Sequence, residues 1–212
     1  MARRVARGAL LLVTAACAPV APVSAPAPAA AATRPDSVTL VPPGLGSLRQ
    51  DDVALHLQLQ GLEVRAIPLD ESILRTLSPD SYRSLHELVA SQRGAIAGVE
   101  RRSGPRPLSV WYVSFFGTEF GEVRFSPMEM LVTSVGRDFR PIEVVPLTPG
   151  FGAQRLRQRE SQSALFLFDG QVDVNQPLVL QYETAQNGEW QVILERVERE
   201  RALVRSRVRS KS

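Results

Sequence analysis

Residues 53–69 alternate more and less apolar side chains in two successive runs. In the first run the apolar positions are Val53, Leu55, Leu57 and Leu59, separated by Ala54, His56, Gln58 and Gln60. A period of two is typical of a half-buried β-strand. Gln60-Gly61 can turn the chain before the second run begins at residue 62. The pattern therefore predicts a β-hairpin.

A helical pattern replaces the alternation after residue 69. Asp70 or Ser72 can cap a short helix, and Ser78-Pro79 supplies an N-cap followed by proline at the first helical position. The apolar residues that then recur at helical spacing are Tyr82, Leu85, Leu88 and Val89. We expect a helical segment here, inserted before the main β-rich part of the chain.

The stretch from 107 to 186 is rich in strand signals. Residues 108–116 are apolar on both faces, as in a central strand. Further strand-like runs lie at 128–135, 138–145, 164–168 and 178–182. Gly136-Arg137 predicts a hairpin turn with Gly136 at positive φ, and Pro141 and Pro146 place the following strand at an edge, since proline cannot donate to a ladder. These signals favour an antiparallel β-sandwich.

The C-terminal residues return to helical spacing. Asn187-Gly188 precedes the apolar positions Trp190, Ile193, Leu194, Val197 and Val204. Glu195 and Arg199 form an i, i+4 pair in the favourable orientation. An alternative is an Asn-Gly hairpin that leads into a strand at 190–194, and we expect the helix.

The N-terminus has the composition of a secretory signal peptide. Three arginines at 3, 4 and 7 precede the apolar run 8–13, and Thr14-Ala15-Ala16 then leads to Cys17, the only cysteine. A cysteine after Ala15-Ala16 resembles the lipobox of bacterial lipoproteins. That resemblance implies a diacylglyceryl group on Cys17, and Ala18 implies the outer membrane if the cell is Gram-negative. Under the alternative, an ordinary secreted protein is cleaved after residues 30–32 and Cys17 is lost.

The formal net charge of +3 comes from the predicted signal peptide. Cleavage before Cys17 removes three arginines and leaves 22 basic and 22 acidic side chains, so the charge gives no reason to expect nucleic-acid binding. Residues 18–32 alternate proline with small residues, a composition that favours an extended tether.

The expected organisation has five parts and a mainly β, α+β fold. They are a signal peptide (1–16), a lipid-anchored Pro/Ala-rich tether (17–50), a hairpin with a helical segment (51–106), a β-sandwich core (107–186) and an Arg-rich C-terminal helix and tail (187–212). Val-Gly-Arg-Asp-Phe-Arg-Pro at 135–141 and Ala-Leu-Phe-Leu-Phe at 164–168 resemble Ig-like domains of bacterial surface lipoproteins. The resemblance implies an Ig-like sandwich.

The sequence contains no recognisable reaction centre. His56 and His86 are the only histidines and lack metal-site spacing, and no serine lies in a Gly-x-Ser-x-Gly motif. We therefore expect a non-enzymatic binding or structural module, anchored to the membrane on its extracytoplasmic side, with an envelope protein or glycan as partner. The alternative is an envelope hydrolase that uses carboxylates, with or without one of these histidines.

Two segments carry candidate binding residues. Phe151 lies between two glycines, just before arginines at alternate positions, and an exposed aromatic beside guanidinium groups suits a protein interface or an anionic glycan. The partner-binding candidates are Phe151, Arg155, Arg157 and Arg159. The alternative is a solvated strand face with Phe151 turned inward. Oxygen ligands for calcium could come from Asp169, Asp173 and Asn175, although these residue types also simply form turns.

The last residues of the chain are basic. Arg205, Arg207, Arg209 and Lys211 follow Glu200 without another acidic residue. They could contact lipid headgroups, or form a frayed, solvated tail.

Overall fold

The structure is a computed structural model that describes residues 40–104 and 106–211. Contacts divide the chain into a unit that ends at Ser37 and a unit from Val38 onward, and the described residues all belong to the second unit. Its strands are β1 (Leu55–Leu59), β2 (Leu62–Pro68), β3 (Leu108–Gly117), β4 (Glu122–Arg124), β5 (Met130–Ser134), β6 (Arg137–Phe139), β7 (Pro141–Pro146), β8 (Arg155–Arg157), β9 (Ser161–Asp169), β10 (Leu178–Tyr182) and β11 (Ala185–Asn187). Its α-helices are α1 (Glu71–Leu74), α2 (Pro79–Ser91), α3 (Arg93–Ser103) and α4 (Trp190–Lys211).

Two antiparallel sheets enclose one main core. The larger sheet has the order β1-β2-β3-β9-β7, the smaller has the order β11-β10-β5-β6, and β4 pairs with β8 in a separate ribbon. Phe115 of the larger sheet meets Tyr182 of the smaller, with ring centroids 5.6 Å apart. The arrangement is sandwich-like, and the prediction of a mainly β, α+β fold with a C-terminal helix is confirmed.

The first hairpin joins the main sheet directly. β1 and β2 turn through Gln60-Gly61, as predicted, with Gly61 at φ +72°. β2 then pairs with β3 along its whole length, although α1, α2 and α3 lie between the two strands in sequence. The hairpin and the 107–186 segment therefore build a common sheet.

The helical segment begins at the predicted caps. The Asp70 carboxylate accepts a hydrogen bond from the Ser72 amide at 2.8 Å, and Pro79 occupies the first turn of α2. Ile96 and Val99 of α3 pack in one cluster with Leu165 and Leu167 of β9. Because alternate strand residues point to opposite faces, α3 covers the face of the larger sheet that lies away from the main core.

Residues 40–49 were expected to belong to the tether, but the structure packs part of this stretch on the domain. Val41 is 3 % exposed, and the Leu48 amide donates to the Thr76 carbonyl at 3.2 Å. Gly46 makes this approach possible, because a Cβ there would lie 2.1 Å from the Thr76 oxygen. The folded part therefore begins earlier than the predicted boundary at Asp51.

The β5–β6 turn differs from the prediction by one residue. Ser134 pairs with Arg137, so the turn residues are Val135 and Gly136, at φ +50° and +68°. Both therefore have the positive φ of a type I′ turn. The strand expected at 138–145 is also divided. Residues up to 139 pair with β5, and the chain then changes sheet so that β7 forms the predicted edge of the larger one.

The C-terminal helix is anchored at its start and in its middle. The Asn187 side chain accepts from the Glu189 amide at 2.7 Å, and the Trp190 indole donates to the Val174 carbonyl at 2.9 Å. Arg201 is 1 % exposed, and its guanidinium donates to the Ser72 carbonyl at 2.8 Å and to the Asn175 amide oxygen at 3.0 Å. In the described part of the chain, no helix has the length and apolarity to span a membrane.

Candidate functional site

Phe151 is a core residue, as the alternative with an inward-turned ring expects, and the prediction of an exposed ring is wrong. The side chain is 4 % exposed, and its ring lies 5.3 Å from that of Phe125 and 6.2 Å from that of Phe115. Gly150 has φ +87°, and the short turn that follows directs the aromatic ring inward. The glycines beside Phe151 therefore allow burial of the ring and do not present it to a partner.

The three alternating arginines do not share one strand face. Arg155 and Arg157 are exposed on either side of the buried Leu156 in β8. Arg159 lies beyond the end of this strand, at φ +62°. A residue in the left-handed region breaks the alternation, so only Arg155 and Arg157 lie on the same face of the strand.

The structure reveals a different exposed aromatic residue, Phe120. Its side chain is 92 % exposed in the short connection between β3 and β4. The connection is fixed at its start, because the Thr118 amide donates to the Gly61 carbonyl at 2.9 Å and the Arg159 amide donates to the Gly117 carbonyl at 2.8 Å. The Phe120 ring therefore lies on a loop whose first residues are held by backbone hydrogen bonds.

Gly117 shows how closely this loop base is packed. A Cβ at position 117 would lie 2.4 Å from the Arg157 carbonyl oxygen. Gly117 and Gly121 bracket a loop in the sequence, and Phe120 lies inside it. Sequence reasoning missed Phe120 although it has the same signal, an aromatic residue beside a glycine, that was used for Phe151.

Several exposed arginines lie on the β4–β8 ribbon that follows this loop and just beyond it. In the β4–β8 ribbon Arg124 is paired with Arg155, and Glu122 is paired with Arg157. Arg155 forms an ion pair with Glu122 at 3.4 Å. Among the described residues, no carboxylate lies within 4.0 Å of the guanidinium groups of Arg124, Arg157 or Arg159. We call Phe120, Arg124, Arg155, Arg157 and Arg159 the Phe120 surface.

The three calcium candidates have partners within the protein. Asp169 forms an ion pair with Arg106 at 3.4 Å, and the Asp173 carboxylate accepts from the Asn175 amide at 3.0 Å. The Asn175 side-chain oxygen accepts from the buried Arg201 guanidinium, which would repel a cation bound there. Within the described residues, no group of three or more His, Cys, Asp or Glu side chains is arranged to hold a metal ion.

His56 lies in a charged cluster on the first hairpin. Its Nδ1 is 3.2 Å from Glu63 Oε1, its Nε2 is 3.6 Å from Asp51 Oδ1, and Arg65 Nε lies 3.0 Å from the same Asp51 oxygen. The His56 side chain is 35 % exposed and Asp51 is 71 % exposed, so solvent screens these ion pairs. His86 is exposed and stacks on Tyr82, with ring centroids 5.3 Å apart. Neither histidine is shown to act in catalysis, and the hydrolase alternative stays a prediction.

A small cavity of about 190 Å³ lies where β2 ends and β3 begins. Asp70, Ser109 and Trp111 contribute to its lining. The Ser109 hydroxyl is already occupied, since it donates to the Gly170 carbonyl at 3.0 Å and accepts from the Val172 amide at 2.7 Å. The volume is below the roughly 300–1,000 Å³ of typical ligand pockets.

Comparison with known proteins adds no family assignment. No family model matches the chain, no curated protein matches it, and no solved structure matches it. The Ig-like resemblance therefore rests on the sequence alone. Cys17 and the predicted signal peptide lie outside the described residues.

Proposed function

We propose that this protein is a lipid-anchored, extracytoplasmic envelope protein whose folded domain is a non-enzymatic binding module. The observation that carries the proposal is the 92 % exposure of Phe120 on a loop with a fixed base. The proposed binding site is the Phe120 surface, and the proposed partner is an envelope protein with an acidic surface around an apolar pocket.

The exposed ring supplies a source of binding energy. An aromatic side chain buries a large area at small entropic cost, and aromatic and arginine residues dominate the energy of many interfaces. Hydrogen bonds at the loop base reduce the entropy lost when a partner binds. The Phe120 ring would therefore contribute to the free energy of binding in a complex, although it is not packed in the isolated domain.

Charge complementarity supports an acidic partner. Arg124, Arg157 and Arg159 are exposed, and among the described residues no carboxylate lies within 4.0 Å of their guanidinium groups. Guanidinium groups form forked hydrogen bonds with carboxylates, so an acidic surface would satisfy them while its pocket receives the ring. A lipid anchor on Cys17 would hold the module near other envelope proteins, where modest affinity is sufficient.

The test places a photo-crosslinking amino acid at position 120 in cells that express the full chain. We expect a discrete protein adduct that is absent when the same group is placed at position 192. Val192 is a matched control because it is also exposed, at 56 %, on a different element. Once the partner is identified from the adduct, Phe120→Ser should weaken its binding at least tenfold, whereas Val192→Ser should not.

A different outcome would contradict the proposal. Crosslinking of positions 120 and 192 to the same set of proteins would show that position 120 has no specific partner. Adducts with glycan strands alone would replace the proposed protein partner with a glycan. Absence of labelled fatty acid from the full chain in cells that express it would contradict the lipid anchor without bearing on the Phe120 surface.

A further inference from the structure

The described chain begins beside the C-terminal part of α4. Leu40, Val41 and Pro42 form a largely apolar groove with Arg205, Val208 and Arg209, with a volume of about 320 Å³. We call these six residues the groove face. Arg207 holds the segment that contains Leu45 against the helix. Its guanidinium donates to the Leu45 carbonyl at 2.6 Å and to the Glu200 carboxylate at 2.8 Å.

The charges on this part of α4 are all positive. No acidic residue follows Glu200, and Glu200 is itself buried and paired with Arg207. Arg205 and Arg209 are exposed, and among the described residues no carboxylate lies within 4.0 Å of either guanidinium. Two positive charges therefore flank the groove, and no described carboxylate forms an ion pair with either of them.

We propose that the groove face docks on the anionic phospholipid headgroups of the membrane to which Cys17 attaches the chain. This inference rests on the proposed lipid anchor. Cys17 precedes Leu40 by 23 residues, so the chain that leads to the anchor enters the domain at this face. Docking of this face therefore requires less extension of the connecting chain than docking of a distant face.

The chemistry of the groove face suits a phospholipid surface. Guanidinium groups bind phosphate oxygens in a forked geometry, which provides the contact for Arg205 and Arg209. Leu40 is 45 % exposed at the rim and would contact the apolar boundary below the headgroups. A lipid anchor already holds the domain near the membrane, so this second contact mainly fixes its orientation.

The test measures binding of the full Cys17→Ser chain, which cannot be acylated at that position, to lipid vesicles. Vesicles of phosphatidylethanolamine mixed with phosphatidylglycerol supply the anionic surface, and phosphatidylcholine vesicles supply the neutral control. An Arg205→Gln/Arg209→Gln variant should bind the anionic vesicles roughly 10- to 30-fold more weakly, since each arginine near an anionic surface contributes about a fivefold effect.

The matched control is Arg93→Gln/Arg101→Gln, which removes the same charge from exposed positions on α3. Residues 1–16 are identical in all these chains, so the arginines of the signal peptide do not affect the comparison. We expect the control to bind within about twofold of the unaltered chain, and binding of that chain to weaken with added salt. Both double variants should retain the melting temperature because they alter exposed side chains.

Equal binding by the two double variants would overturn the inference, as would equal binding to neutral vesicles. Incorporation of labelled fatty acid into the full chain with Cys17 intact tests the anchor separately. If the chain is acylated but its vesicle binding does not depend on Arg205 and Arg209, the proposal for the groove face is wrong and the proposed anchor is unaffected. Arginine-dependent vesicle binding without acylation supports a lipid-binding groove face and contradicts the proposed anchor.

Discussion

At the scale of single residues, Phe120 and Phe151 show the limit of local sequence information. Each lies beside a glycine in a loop that precedes a short strand of the same ribbon. Phe151 fills a cluster with Phe115 and Phe125, whereas the Phe120 side chain is almost fully exposed. The difference depends on residues that are distant in sequence, which composition and spacing around the glycine do not reveal.

Replacement of these two residues should separate a core role from a surface role. We expect Phe151→Ala to lower the free energy of unfolding by about 3–5 kcal/mol, because it leaves a cavity among packed rings. The matched Phe120→Ala change should alter it by less than about 0.5 kcal/mol. Urea unfolding followed by tryptophan fluorescence measures both. Similar losses in the two variants would show that the ring of residue 120 also contributes to the folded domain.

At the scale of elements, signals within a few residues were sufficient for several boundaries. Asp70 caps α1, and Ser78-Pro79 starts α2. The transfer of the chain from the smaller to the larger sheet near Arg140 could not be predicted, because it depends on the pairing of β7 with β9, more than ten residues away. The shifted β5–β6 turn has the same origin, since the register between strands selects the turn residues.

The β5–β6 turn offers a test of this register. Val135 is β-branched and 69 % exposed, yet it adopts φ +50° at the first position of a type I′ turn. Asn-Gly is the favoured pair in such turns, so Val135→Asn should raise the free energy of unfolding by about 1 kcal/mol. Val192→Asn, at an exposed helical position, should give no gain. A loss of stability in Val135→Asn would mean that the turn lies at Gly136-Arg137, as the sequence alone predicted.

At the scale of the whole molecule, one core joins both sheets to α4. Trp111 of the larger sheet lies 6.4 Å from Trp190 of the helix, and Phe115 meets Tyr182 of the smaller sheet. The residue types that could form a binding surface were predictable, since arginine near an exposed aromatic was expected. Their placement on the β4–β8 ribbon that follows the Phe120 loop was not, because it requires the pairing of β4 with β8 and the close approach at Gly117.

The buried Tyr182 gives this core a dependence on alkaline pH. Its side chain is fully buried, its hydroxyl oxygen accepts from the Ser126 amide at 2.7 Å, and burial raises its pKa well above the usual 10.0. An unfolded tyrosine ionises near pH 10, whereas the folded protein retains the proton. The unfolded state then binds fewer protons, so this contribution to stability is present below about pH 10 and is lost as the pH rises further.

Tyr182→Phe should therefore change the pH dependence of stability as well as its magnitude. The variant loses the acceptor for the Ser126 amide and should be less stable than the parent at neutral pH. Above about pH 10 its free energy of unfolding should fall less steeply, by up to about 1.4 kcal/mol per pH unit for the missing proton.

Lys211 is the only lysine, so lysine titration adds little to the measurement. Urea unfolding across this range, with Phe151→Ala as a destabilised control that keeps Tyr182, provides the comparison. Equal slopes in the parent and Tyr182→Phe would show that Tyr182 ionises in the folded protein as it does in the unfolded chain.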